Sequence, residues 1–297
     1  MTRVVEVPAT FDDRSFDQFA GAIGAWPPDA RLLIDARGVQ WVSPYGLVGL
    51  LSAAQALKDQ SCPLPLFTMP QNDEVNRYWA RSGFYDHAEG LFELHGKVPK
   101  HAGGNTETLL AVSPIRAIDD VHRAVTDIST NASRIVVEQL GIKAQETMRF
   151  GMALSEACQN IVEHSGSIGW VAAQSYTWRR KLGRKVVVMA VSDSGIGFRR
   201  SLEALHARRI GDRWGDGAAI EAGLIQNVSR FRDPGRGQGL ALIKRFVLQW
   251  DGKIAIRSGT ARLSIVPKWD DDVPLAEHIP YFPGSQVQIT IPAPEAA

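Results

Sequence analysis

Glu156 and Asn160 stand four residues apart in the segment Leu154-Ser-Glu-Ala-Cys-Gln-Asn-Ile-Val-Glu-His164, so on a helix they share one face, a turn apart. An amide carbonyl oxygen suits a hard cation such as Mg²⁺, and a carboxylate beside it can orient or deprotonate a nucleophile. His164 continues the same stripe. A second segment, Asp193-Ser-Gly195-Ile-Gly197-Phe198, follows the apolar run Val186 to Val191, which reads as a buried strand. A carboxylate at the end of such a strand needs a donor, and the exocyclic amine of adenine is one. Gly195 and Gly197 permit close backbone approach and positive φ. The third segment, Gly235-Arg-Gly-Gln-Gly239-Leu240, opens a helix. Exposed amides in a glycine-rich turn at a helix N-terminus attract phosphate oxygens. Arg236 adds charge there, with Arg230 and Arg232 just upstream.

Each segment alone has an ordinary alternative: a polar surface helix, a β-turn after a strand, a flexible glycine loop. The second also resembles a dinucleotide fingerprint, but Arg200 stands where the third glycine belongs. No Gly-x₄-Gly-Lys-[Ser/Thr], Gly-x-Ser-x-Gly or His-Glu-x-x-His motif occurs, which disfavours P-loop, hydrolase and zinc chemistry. The order and spacing of the three segments carry the argument.

The elements that must position them occupy the C-terminal part of the chain. Thr106 to Val112 is a strand candidate and Ile118 to Gln139 a long amphipathic helix; Lys143 to Glu163 forms the helix holding Glu156 and Asn160. Gly169 to Trp178 and Lys185 to Val191 read as paired strands joined by the basic turn 179–184. Arg199 to Phe231 is long for a structureless connection, as lids and binding loops are. Gly239 to Trp250 reads as a helix, Gly252 to Ser258 as a strand and Gly284 to Pro292 as a closing strand; Ile265 to Tyr281, with Asp270-Asp-Asp272, reads as a solvated insertion.

Residues 1–95 read as a separate α/β unit. It has strands at Val4 to Val7, Arg31 to Asp35 and Pro63 to Met69, and helices at Phe11 to Ile23, Leu47 to Leu57 and Asn72 to Ser82, the last closed by Gly83. Residues 96–105 have linker composition.

The chain has 297 residues, 44% of them hydrophobic, enough for one large or two ordinary cores. With 33 basic against 32 acidic side chains, charge supplies no argument for nucleic acid or an anionic membrane. Cys62 and Cys158 are too few for a disulfide framework or metal cluster. The sequence lacks both a membrane-span candidate and a signal-peptide core, so a cytoplasmic protein is expected.

Together the segments resemble the ATP-binding domain of the GHKL superfamily, which contains gyrase-type ATPases, sensor histidine kinases and anti-sigma-factor serine kinases. Glu156 and Asn160 match its N box, Asp193 to Gly197 its first glycine box and Gly235 to Gly239 its second. Gly284-Ser285 stands where the closing strand usually has Gly-Thr. The resemblance covers residues 106–297. It implies a two-layer α/β sandwich of the Bergerat type with a mixed sheet, ATP and Mg²⁺ as cofactors, and a lid at about 199–234. Glu156 would be the general base, Asn160 the metal ligand and Asp193 the adenine acceptor. Gly195, Gly197, Gly235, Arg236, Gly237, Gln238, Gly239 and Ser285 would complete the nucleotide site.

The N-box segment is most similar to that of the anti-sigma-factor kinases. His122, the only upstream histidine a sensor kinase could phosphorylate, lacks that motif's acidic neighbour and later proline, and no gyrase-type transducer domain follows Pro292. Residues 1–95 resemble a STAS domain, the fold of anti-sigma-factor antagonists, through Ile34 to Leu47. Where antagonists carry Asp-Ser-Ser-Gly with a phospho-acceptor serine, this chain has Ser43-Pro-Tyr45-Gly46. The serine switch is therefore expected to be absent and the unit to be a docking or dimerisation module, which allows a homodimer. The leading expectation is a serine/threonine protein kinase acting on a STAS-like antagonist or sigma-type regulator. The alternatives are an ATP-gated interaction switch and a slow ATPase, which need the same pocket.

Overall fold

The computed structural model describes residues 2–99, 108–127, 144–178, 182–226 and 239–294. The N-terminal part builds a four-stranded parallel sheet in the order β1 (Thr2–Glu6), β3 (Arg31–Asp35), β5 (Leu66–Thr68) and β6 (Glu93–His95). A short parallel pair, β2 (Thr10–Phe11) and β4 (Trp41–Val42), stands beside it. Helix α1 (Phe16–Ile23) is shorter than the apolar spacing from Phe11 suggests. The Asp12 carboxylate accepts the amides of Arg14 and Ser15 at 3.0 and 3.1 Å, a local turn that competes with helix. Helix α2 (Pro44–Asp59) starts where Ser43 caps it, Oγ accepting the Gly46 amide at 3.3 Å, with Pro44 in its first turn. Asn72 caps α3 (Asp73–Arg81) in the same way. Gly83, at φ 79°, turns the chain into α4 (Phe84–Ala88). Both α4 and β6 were too short to stand out as periodic runs.

The C-terminal part builds a five-stranded sheet in the order β10 (Lys253–Ile265), β11 (Leu275–Pro292), β9 (Arg184–Asp193), β8 (Gly169–Trp178) and β7 (Thr108–Ile115). Every pairing in it is antiparallel, where a mixed sheet was expected. Strand alternation gives the sheet two different faces. Val187, Met189 and Val191 of β9 and Val287, Ile289 and Ile291 of β11 point to one side. There they meet α5 (residues 118–127), α6 (Ala144–Asn160), α8 (Asp216–Leu224) and α9 (Gly239–Gln249), which contribute Val121, Leu154, Ile220 and Phe246 to the same core. This is the two-layer α/β sandwich. The described part of the long 118–139 helix ends at residue 127.

The other face carries Ser192, Gln286, Gln288 and Thr290, all buried. Helix α2 covers it, packing on β8, β9 and β11, while α1 packs on β11. Every residue from Pro44 to Leu57 is buried. Gly46 and Gly49 let α2 press onto Phe11 and Phe16: a Cβ on Gly49 would lie 2.3 Å from the Phe16 ring. One hydrophobic core therefore runs from Ile34 and Phe67 of the first sheet through Leu47 and Leu51 of α2 to Ala172 and Ala190 of the second. Each large apolar side chain buried in it contributes about 1.5–3 kcal/mol.

One expectation changes here. The region 265–281 is no solvated insertion. The Lys253 ammonium, 3% exposed, pairs with Asp13 at 3.0 Å and Asp272 at 2.8 Å, and lies 3.6 Å from Asp270. Arg262 also pairs with Asp272, and Arg14 binds Asp270 and Asp271. The acidic run closes a buried ion cluster between α1's approach and β10. The described part of the segment expected as a lid is helical: α7 (Gly197–Ile210), a 3₁₀ turn (Gly211–Arg213) and α8. Ile220 and Leu224 of α8 belong to the core, which holds that helix against β10. Residues 227–234 lie outside the described residues.

Candidate nucleotide site

Helix α6 ends in a π turn, Ile161–Ser165, and Gly166 at φ 70° stops it. Glu156 and Asn160, both half-buried, lie one turn apart before that bulge. Such π bulges concentrate at functional sites. Burial, helped by the nearby Glu163 carboxylate, raises the pKa of Glu156 above its ordinary value. A carboxylate with a raised pKa is suited to accept a proton.

Asp193 ends β9 at 5% exposure. Its Oδ1 accepts the Gly195 amide at 2.8 Å, and the Ser285 amide and hydroxyl also donate to the carboxylate. Burial outweighs these donors and pushes the group up to about 7. A buried carboxylate whose donors among the described residues are the neutral groups of Gly195 and Ser285 suits a ligand N–H.

The turn after Asp193 is held from several sides. The Ile196 amide donates to the Ser165 carbonyl at 3.0 Å, and a Cβ on Gly195 would lie 2.0 Å from that oxygen. Only glycine fits between the two segments. Gly197, at φ 70°, opens α7 against Gly284, whose carbonyl would lie 3.0 Å from an added Cβ. Ser258 of β10 ties these pieces together: its Oγ accepts the Phe198 amide and donates to the Gly284 carbonyl, each at 3.0 Å. Gly284 in turn presses on the Asp193 backbone, with room for no Cβ. Gly239, first residue of α9, faces Glu156: an added Cβ would lie 2.2 Å from Oε2.

The structure sets Gly239 against Glu156, and Ser165, just past Asn160 in the same helical run, against the turn that carries Asp193, Gly195, Gly197 and the Ser285 contact. Gly235, Arg236, Gly237 and Gln238 lie outside the described residues. Sequence reasoning missed Ser258 and Ser165, whose roles arise only when β10 and the end of α6 meet the glycine turn. A cleft of about 600 Å³ beside Ser43, Lys253 and Gln288 lies on the opposite face of the sheet. One of about 460 Å³ beside Arg199 and Tyr281 flanks the first glycine turn without touching Glu156, Asn160 or Asp193. Neither is the site assembled by the motifs. Among the described residues no helix is long and apolar enough to cross a membrane, and no cluster of three or more His, Cys, Asp or Glu could hold a metal by itself. A Mg²⁺ held by Asn160 together with nucleotide phosphates needs no such cluster.

A search of curated proteins returns no match to this chain. The family model described as histidine kinase-, DNA gyrase B- and HSP90-like ATPase matches residues 145–295, just over half of the sequence, and includes every site residue named above. The chain belongs to the family of histidine kinase-, DNA gyrase B- and HSP90-like ATPases, and its C-terminal α/β sandwich is that family's ATP-binding domain.

Proposed function

We propose that this protein is an ATP- and Mg²⁺-dependent serine/threonine protein kinase of the anti-sigma-factor type, acting on a STAS-like partner. The observation that carries the reading is Glu156: half-buried, with a raised pKa, one turn from Asn160 and against the first residue of α9. Bound ATP·Mg²⁺ would supply the transferable phosphoryl group. Asp193 would accept the adenine amine, Asn160 would hold the metal, and the amides leading into α9 would hold the phosphates. Glu156 would take the proton of the partner's hydroxyl as that oxygen forms its bond to phosphorus; the rest is positioning and charge neutralisation.

Residues 1–95, read as a STAS-like unit, would not themselves be the substrate. Tyr45, at the acceptor position, is 1% exposed beneath Phe16, and burial raises its phenol well above the ordinary range. A separate partner would therefore present the hydroxyl. The second reading, an ATP-gated switch without phosphoryl transfer, is favoured by the contact between α2 and the first glycine turn, where Asp59 accepts from Ser194 at 3.3 Å.

Calorimetric titration with ATP·Mg²⁺, followed by mass spectrometry of a STAS-like partner incubated with the protein, decides between them. A new phosphoserine or phosphothreonine on the partner supports the kinase. Binding without transfer leaves the switch, and no binding removes both.

A further inference from the structure

We propose that Asp59, the last residue of α2, is a positioning residue for the nucleotide site, through which the N-terminal unit sets the shape of the first glycine turn; this rests on the nucleotide reading above. Local sequence supplies one partner for a carboxylate there, Gln55 one turn back on the same helix. The C-terminal end of a helix is its negative pole, where an acid is unfavourable. The contacts that reach the site are tertiary. Asp59 Oδ2 accepts the hydroxyls of Ser167 at 2.8 Å and Ser194 at 3.3 Å, and those two hydroxyls lie 2.7 Å apart. Its Oδ1 accepts the side-chain amide of Gln55, itself buried, at 2.7 Å. Gln55 thereby orients the carboxylate, leaving Oδ2 for the serines.

Ser194 sits between Asp193, the adenine acceptor, and Gly195, which packs against Ser165 without room for a Cβ. The turn is consequently gripped on one side by the end of α6 and on the other by the end of α2. Helix α2 is a rod about 24 Å long at 1.5 Å per residue, buried from Pro44 to Leu57 between the two sheets. Its axial position is set by the N-terminal packing around Phe11 and Phe16. A change in how residues 2–95 sit on the sheet moves Asp59, and with it the Ser194 backbone between the two groups that would read the base. The carboxylate is exposed, so it acts by placing the turn, with an effect of moderate size.

The test uses the full chain, titrated with ADP·Mg²⁺. D59A is expected to weaken binding about tenfold, the scale of one charge-assisted hydrogen bond. D59N, which keeps an acceptor oxygen, is expected to stay within about threefold of the parent. In the D59A/S194A double variant the two losses should fall well short of additive, because both remove the same link. D59A binding as tightly as the parent overturns the proposal, as do losses that add, or a lowered thermal midpoint with affinity retained. A parent chain that binds no adenine nucleotide refutes the nucleotide reading itself, a result distinct from any of these.

Discussion

Replacing Asp193 by asparagine separates binding from folding. The parent carboxylate is 5% exposed and takes a proton at about 7. Because its folded pKa is raised above the ordinary 3.8, the stability it contributes is fully present below about pH 4 and is lost as pH rises through 7. Three units at 1.36 kcal/mol each put that loss at roughly 4 kcal/mol. D193N removes the pH-dependent term while leaving one amide oxygen for the Gly195 and Ser285 donors. At pH 8 its thermal midpoint should hold or rise. Binding should move the other way. An adenine amine that loses a charge-assisted acceptor and meets an amide NH₂ forfeits about 3–4 kcal/mol, or roughly 100- to 1000-fold in Kd. Parent affinity should also fall about tenfold per pH unit below 7, as the carboxyl protonates. D193N should lack that dependence beyond what the nucleotide's own phosphate contributes. Calorimetry with ADP·Mg²⁺ between pH 6 and 8, paired with thermal unfolding, reads all of this. A D193N variant binding within threefold of the parent refutes the adenine assignment. Lost binding accompanied by a collapsed midpoint refutes the claim that the carboxylate serves the ligand at a cost to the fold.

Three further outcomes follow from the same geometry. E156Q should leave nucleotide binding near parent level while lowering phosphoryl transfer by at least about 100-fold, the usual contribution of a general base; radiolabelled phosphate transfer beside a binding titration checks both. G195A, whose Cβ would meet the Ser165 carbonyl at 2.0 Å, should lose nucleotide binding and lower the thermal midpoint together, since backbone on both sides leaves no room to yield. K253A leaves Asp13 and Asp272 buried without their cation, so denaturant unfolding should show a loss of about 3–5 kcal/mol, relieved in part by replacing Asp13 with Asn in the same chain.

The fourth sequence segment shows how a motif becomes legible. Gly284-Ser285 at the head of an alternating strand could be matched to a closing strand, and in the fold that serine donates to Asp193. Period and turn chemistry were enough for β3, β8, β9 and α9, because those signals repeat within a few residues. The same local rules gave no helices within 199–226: its glycines punctuate the sequence, but Ile220 and Leu224 find a sheet to bury against, and tertiary burial outweighs weak helix propensity.

What the sequence alone determined is the chemistry: which residue types stand at the ends of which elements, and so an acceptor after a buried strand, a carboxylate and amide on one helix face, and glycines where backbones must approach. What only the tertiary structure decided is who meets whom across the chain. Asp270-Asp-Asp272 reads as a solvated run because nothing near it in sequence names Lys253 and Arg262 as its partners. Asp59 lies 135 residues from Ser194, and Tyr45 becomes inaccessible because α2 lies between two sheets. Such contacts are set by the packing of whole elements, where burial of apolar area outweighs any preference carried by a single residue.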